Sequence, residues 1–180
     1  MYPHFFIKYY ICAEKLKKIM TEYFNQINEA DYAKLKLAIP EITILIAGAD
    51  GEIGNAEKEW AEKVTHIRSY KMSKDLIGFY QEVGKTFQED LDQLIDELPI
   101  HIADRQKILI KRLAELNPIL EKLDANVAYH LYKSYLSFAK HVAKSSGGLF
   151  GFFAIGPKES EVVGLPMLHP ILPVEGEEEE

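Results

Sequence analysis

The chain has 180 residues and a mass of 20.6 kDa, a length that predicts one domain with room for a sizeable core. Hydrophobic residues make up 47% and charged residues 27%, which excludes collagen-like, wholly disordered and disulfide-scaffold chains. Cys12 is the single cysteine, so no intrachain disulfide and no paired-cysteine zinc or redox motif forms, and the net charge of −7 disfavours nucleic acid, whose phosphate backbone calls for a basic face.

Residues 1–30 read as an amino-terminal helical extension. The opening MYPHFFIKYYICAEKLKKIM does not make a secretion signal: Lys8, Glu14 and Lys15 interrupt the apolar stretch that a signal needs. Met20 begins MTEYFNQI, so the first 19 residues read either as an extra amphipathic helix or as an over-extended start. The absence of an export signal, with a lone cysteine, leads to an expected cytoplasmic location. No apolar run approaches the ~18 residues required to span a bilayer, so no transmembrane segment is expected.

From residue 31 onward, apolar side chains recur at helical spacing. Asp31 is placed to cap a helix through Leu37, and Pro40 to start or kink a segment reaching Ala49. Trp60, Val64 and Ile67 mark a shorter helix. Leu76, Tyr80, Val83, Phe87, Leu91, Leu94 and Leu98 form one stripe, with Ser73 at its start, Asp75 in its first turn and Pro99 closing it. Leu109, Leu113, Leu116, Leu120 and Leu123 form the next, interrupted at Asn117-Pro118, where a kink or a break with Asn117 as a new cap is expected. Ala128, Leu131, Tyr135, Phe138 and Val142 form the last, ending at Gly147-Gly148. Sustained strand alternation is missing. The expected fold is all-α, a compact bundle of six to eight helices. The domain would span 31–162, followed by a tail over 163–180 that carries Pro166, Pro170, Pro173 and terminal glutamates, partly disordered.

The informative stretch is Ile44-Leu-Ile-Ala-Gly-Ala-Asp50-Gly51-Glu52-Ile53-Gly-Asn-Ala-Glu57. An apolar helix ends near Asp50, Gly51 terminates it, Asn55 caps the next helix and Glu57 falls in that helix's first turn. The carboxylates of Asp50 and Glu57 then face each other across a helix–turn–helix. Asp-Gly-x-Ile-x-x-x-Glu is also the second half of a calcium-binding EF-hand loop, but the earlier ligand positions fall on Ile46 and Gly48, which offer no carboxylate. Two readings remain: helix capping, or a weak divalent site. A fainter copy follows, Ile155-Gly-Pro-Lys-Glu159, with Ser146 standing where the aspartate would be. Pseudo-duplication would set the two turns side by side, with the carboxyl groups of Glu57 and Glu159 within ~15 Å.

A helix ending in Ala49-Asp50-Gly51-Glu52-Ile53, with Glu57 opening the next, resembles the TerB-like family of tellurite-resistance and DjlA amino-terminal domains. The likeness covers roughly residues 32–161. It implies a cytoplasmic all-α domain with a duplicated helical unit, without enzymatic activity, in stress-response complexes near the membrane. It also implies divalent-metal binding through the motif acids, here Asp50 and Glu57, with Glu159 answering Glu57 in the second copy; Glu52 is a further candidate ligand, and oxygen-only ligands favour calcium, magnesium or manganese over zinc. The chain departs from the pattern at Ser146 and in the long insert from Leu149 to Phe153.

Other chemistries find less. His4, His66, His101, His130, His141 and His169 make no HExxH, no Gly-x-Ser-x-Gly elbow occurs, and the glycines at 147, 148 and 151 are not followed by the Lys-Ser/Thr of a nucleotide loop. Cys12 has Lys8 and Lys15 at helical spacing and is given no role. The alternative to metal binding is a protein-interaction module that uses a helical groove or the Gly/Phe-rich loop. In that loop Phe150, Phe152 and Phe153 either dock a partner or fold back as a lid over the core.

Overall fold

A computed structural model of the chain describes residues 22–48, 54–146 and 162–174, leaving aside the side chains of 56, 57, 145 and 146. The described residues hold five helices of thirteen residues or more, a single helical turn and no strand: α1 Glu29–Ala47, α2 Asn55–Lys71, α3 Lys74–Glu97, α4 Ile102–Ala114, the turn α5 Asn117–Leu120, and α6 Ala125–Ser146.

Helix α1 is the axis of the bundle. Every residue from Ala38 to Ala47 is buried, which leaves no polar stripe, and α1 packs on α2, α3, α4 and α6. Its start is fixed by Asn28 rather than by Asp31. The Asn28 Oδ1 accepts the Asp31 N–H at 2.8 Å, and Glu29 and Asp31 supply the first-turn negative charge that the macrodipole favours. Pro40 does not begin a new segment. It lies inside one continuous helix, because the flanking apolar residues bury on all sides and outweigh the one backbone bond that proline forfeits.

Helix α2 turns a different face inward from the one that Trp60, Val64 and Ile67 suggest. Ala61, Val64, Thr65 and Arg68 are buried, while Trp60 stays 37% exposed and donates its indole N–H to the His141 carbonyl at 3.0 Å. Helix α3 buries its expected stripe from Leu76 to Leu94, and Leu98, extended ahead of Pro99, ends it. Ser73 sits at the cap position, but only its carbonyl takes part, accepting the Leu76 and Ile77 N–H groups. The leucine stripe from Leu109 to Leu123 is buried throughout, and the chain breaks between α4 and α5 with Leu116, not Asn117, as the residue before the turn. Helix α6 buries Leu131, Tyr135, Phe138 and Val142, and the Tyr135 hydroxyl donates to the Leu35 carbonyl on α1 at 2.8 Å.

Two further pieces close the core. Phe24, ahead of α1, packs between Tyr32 and Phe79, with ring centroids 5.1 and 5.8 Å away. Residues 162–174 run as an irregular strap that buries Val162, Val163, Leu165 and Leu168. Asn117 pins the strap with both ends of its amide: Nδ2 donates to the Met167 carbonyl at 2.9 Å, and Oδ1 accepts the His169 N–H at 2.8 Å.

Candidate functional site

The turn that carries the acid motif is bounded by well-defined helix ends. The Gly48 N–H bonds to the Ile44 carbonyl at 3.0 Å, and Arg105 from α4 reaches across to donate Nη2 to the Gly48 carbonyl at 2.7 Å. The last turn of α1 has no basic residue of its own, so this guanidinium is what answers the negative end of the helix dipole. Only glycine fits here: a Cβ on residue 48 would lie 2.7 Å from the Ile44 oxygen and 2.9 Å from Arg105 Nη2. Helix α2 then begins at Asn55, so seven residues, 48–54, join the helices.

Asp50, Glu52 and Glu159 lie outside the described residues, as do Phe150, Phe152 and Phe153. Glu57 falls in the first turn of α2, with its side chain outside the description, so the expected Glu57–Glu159 approach also lies outside it. Among the described residues no three His, Cys, Asp or Glu side chains are placed to hold a metal ion.

Three polar constellations emerge that sequence reading did not single out. Arg68, on the buried face of α2, spends its guanidinium on neutral acceptors. Its Nη1 meets the Tyr80 hydroxyl at 3.1 Å, the Ser134 carbonyl at 2.9 Å and Ser134 Oγ at 2.8 Å, and its Nη2 meets Ser137 Oγ at 2.8 Å. The rings of Tyr80 and Phe138 lie 5.4 and 5.5 Å from the guanidinium carbon. One side chain thus ties α2 to α3 and α6. The available signal was its i+4 step from Val64, which places it on the inward face.

A second pair joins α3 to α6. His130 Nδ1 meets the buried Asp75 Oδ2 at 2.7 Å, at the edge of a cavity of about 530 Å³ that Glu22, Ser73 and Asp124 also line.

The third is a groove of about 470 Å³ between α1, α3 and α4, with Glu41 in its wall. Glu41 is 3% exposed, and its partner is Arg112, whose Nη1 lies at 3.4 Å from Oε1. Burial pushes the Glu41 carboxyl up to about 7, and the neighbouring Arg112 pulls it back only in part. The signal here was one carboxylate inside the apolar run Ala38-Ile-Pro-Glu41-Ile-Thr-Ile-Leu-Ile-Ala47.

No protein-family model, no curated protein and no solved structure matches this chain.

Proposed function

We propose that the chain is a non-catalytic, TerB-like helical module that binds a divalent cation weakly at the turn between α1 and α2. The observation that carries this reading is the spacing of Asp50 and Glu52 on a seven-residue connection, with Glu57 in the first turn of α2 and the end of α1 held at Gly48 by Arg105. A connection of seven residues limits how far Asp50 and Glu52 can lie from the start of α2. Oxygen-only ligands suit calcium, magnesium or manganese rather than zinc. Calcium takes six to eight oxygens, so water completes the shell and the dissociation constant is on the order of 10⁻⁴ M or weaker. Glu159, from the second copy of the motif, is the further candidate ligand.

Calorimetric titration with calcium tests the reading on the wild type and on Asp50→Ala/Glu57→Ala. Saturable heat from the wild type, lost in the double variant, is the expected result. No heat at millimolar calcium, or equal heat from both proteins, reduces the two acids to helix caps.

A further inference from the structure

We propose that the groove between α1, α3 and α4 binds a linear polyamine, its ammonium groups shared among Asp90, Glu97 and Glu41. The site is independent of the motif turn.

The argument starts from the charges facing the groove. Lys34 and Glu41 come from α1, Asp90 and Glu97 from α3, Arg112 from α4, and Glu115 from the turn after it. The cations are already engaged, Lys34 with Glu115 at 3.2 Å and Arg112 with Glu41 at 3.4 Å. Among the described residues the two α3 acids meet only neutral donors: Thr86 Oγ1 donates to Asp90 at 2.7 Å, and Gln93 Nε2 to Glu97 at 2.6 Å. Four acids against two bases leave the groove negative, so it attracts cations and repels anions. Behind Glu41, Tyr135 of α6 is the facing titratable group, and its hydroxyl is held on the Leu35 carbonyl.

Spacing then selects the kind of cation. Asp90 and Glu97 stand seven residues apart on α3, about 10 Å along its axis. A metal ion with oxygen contacts of ~2.5 Å does not bridge them. A chain with charged nitrogens separated by methylenes does, and Leu37, Leu94 and Leu116 line the same groove, giving those methylenes apolar surface. Glu41 supplies the buried partner. Its carboxyl, held near half-protonated at neutral pH, gains from an arriving ammonium what Arg112 at 3.4 Å fails to give. An ammonium favours the carboxylate form, so binding expels a proton from Glu41. Affinity therefore rises between about pH 6 and pH 8, a range in which alkylamines stay charged.

The experiment is calorimetric titration of the full chain with spermidine at low salt, at pH 6 and pH 8. The expected result is saturable one-to-one binding, several-fold tighter at pH 8, with butylamine binding about tenfold more weakly because it has one charge. Asp90→Asn/Glu97→Gln weakens binding about tenfold or more, and Glu41→Gln removes the pH dependence. Both α3 side chains sit at the groove surface rather than in the core, and an unchanged thermal melt confirms that the variant is folded. Glu59→Gln/Glu62→Gln, on α2 away from the groove, removes the same charge and leaves affinity unchanged. No saturable heat at millimolar spermidine overturns the proposal. So does an equal loss in the two charge-matched variants, which would mean diffuse attraction to an acidic protein. A lysine-rich peptide that binds about tenfold tighter than spermidine would assign the groove to a protein partner and overturn it as well.

Discussion

Arg68 on α2 and Glu41 on α1 are withdrawn from water to nearly the same degree, 6% and 3% exposed, yet the protein solvates them in opposite ways. Arg68 is met by four hydrogen bonds to neutral oxygens and by two aromatic faces. Glu41 is met by one contact of 3.4 Å, from an Arg112 that is itself 40% exposed. A guanidinium with four neutral oxygens and two rings around it serves as a three-helix pin. A carboxylate with half a set of partners is costly to keep charged, and it opens onto a groove where another cation could complete the set. Degree of burial, taken by itself, does not tell how well a charge is accommodated; its set of partners does.

The largest effect that would break this contrast lies at Arg68. Arg68→Met leaves the Tyr80 and Ser134 hydroxyls only each other and Ser137 only the Ser134 carbonyl, and it removes the charged donor that joins them across three helices, so unfolding free energy in urea at pH 7 should fall by about 3 kcal/mol or more. Arg68→Lys should recover less than half of that, because an ammonium does not reproduce the fork. A loss under ~1 kcal/mol for Arg68→Met would mean that the pin is not one.

Glu41→Gln should move stability the other way. The folded carboxyl titrates near 7 and the ordinary one at 4.5, so the contribution of Glu41 is complete below about pH 4.5 and is lost as pH rises through 7. The amide has no charge to desolvate, and Arg112 keeps its access to water. At pH 8 the variant should be more stable than the wild type by roughly 2–3 kcal/mol, with a flatter stability profile between pH 4.5 and 7. Equal slopes for the two proteins across that window would remove Glu41 from the contrast.

A smaller effect asks which class Arg105 joins, since it is buried with one strong bond, to the Gly48 carbonyl. Gly48→Ala drives a methyl group against Arg105 and Ile44 and should cost about 1–2 kcal/mol in a thermal melt. Gly84→Ala, in the exposed middle of α3 with nothing within 4 Å of the new carbon, should instead gain about 0.5–1 kcal/mol. Equal changes at the two glycines would show that Arg105 moves aside freely.

Much of the bundle was legible in the sequence because its longest helices carry strong one-sided stripes. The stripe of α3 from Leu76 to Leu94 and that of α6 from Leu131 to Val142 are buried as their period demands. Helix α1 was harder, since an all-apolar run has no period to mark its faces and Pro40 imitates a boundary. On α2 the large Trp60 drew attention from Arg68, although a four-residue step from Val64 put the arginine inside. The groove was not legible at all. It joins residues as far apart as Lys34 and Glu115, 81 positions along the chain, and no local pattern records which helices become neighbours. The motif acids are legible only as spacing, because their connection falls outside the described residues.

The seat of the strap has a consequence in time. Asn117 is synthesised 50 residues before Met167 and 52 before the His169 amide that it will clasp. At ~5–20 residues per second, that interval lasts roughly 3–10 s, long beside the microseconds in which a helix forms. Through those seconds the core lacks Val162, Val163, Leu165 and Leu168, and the newborn bundle presents an apolar surface that the finished one conceals.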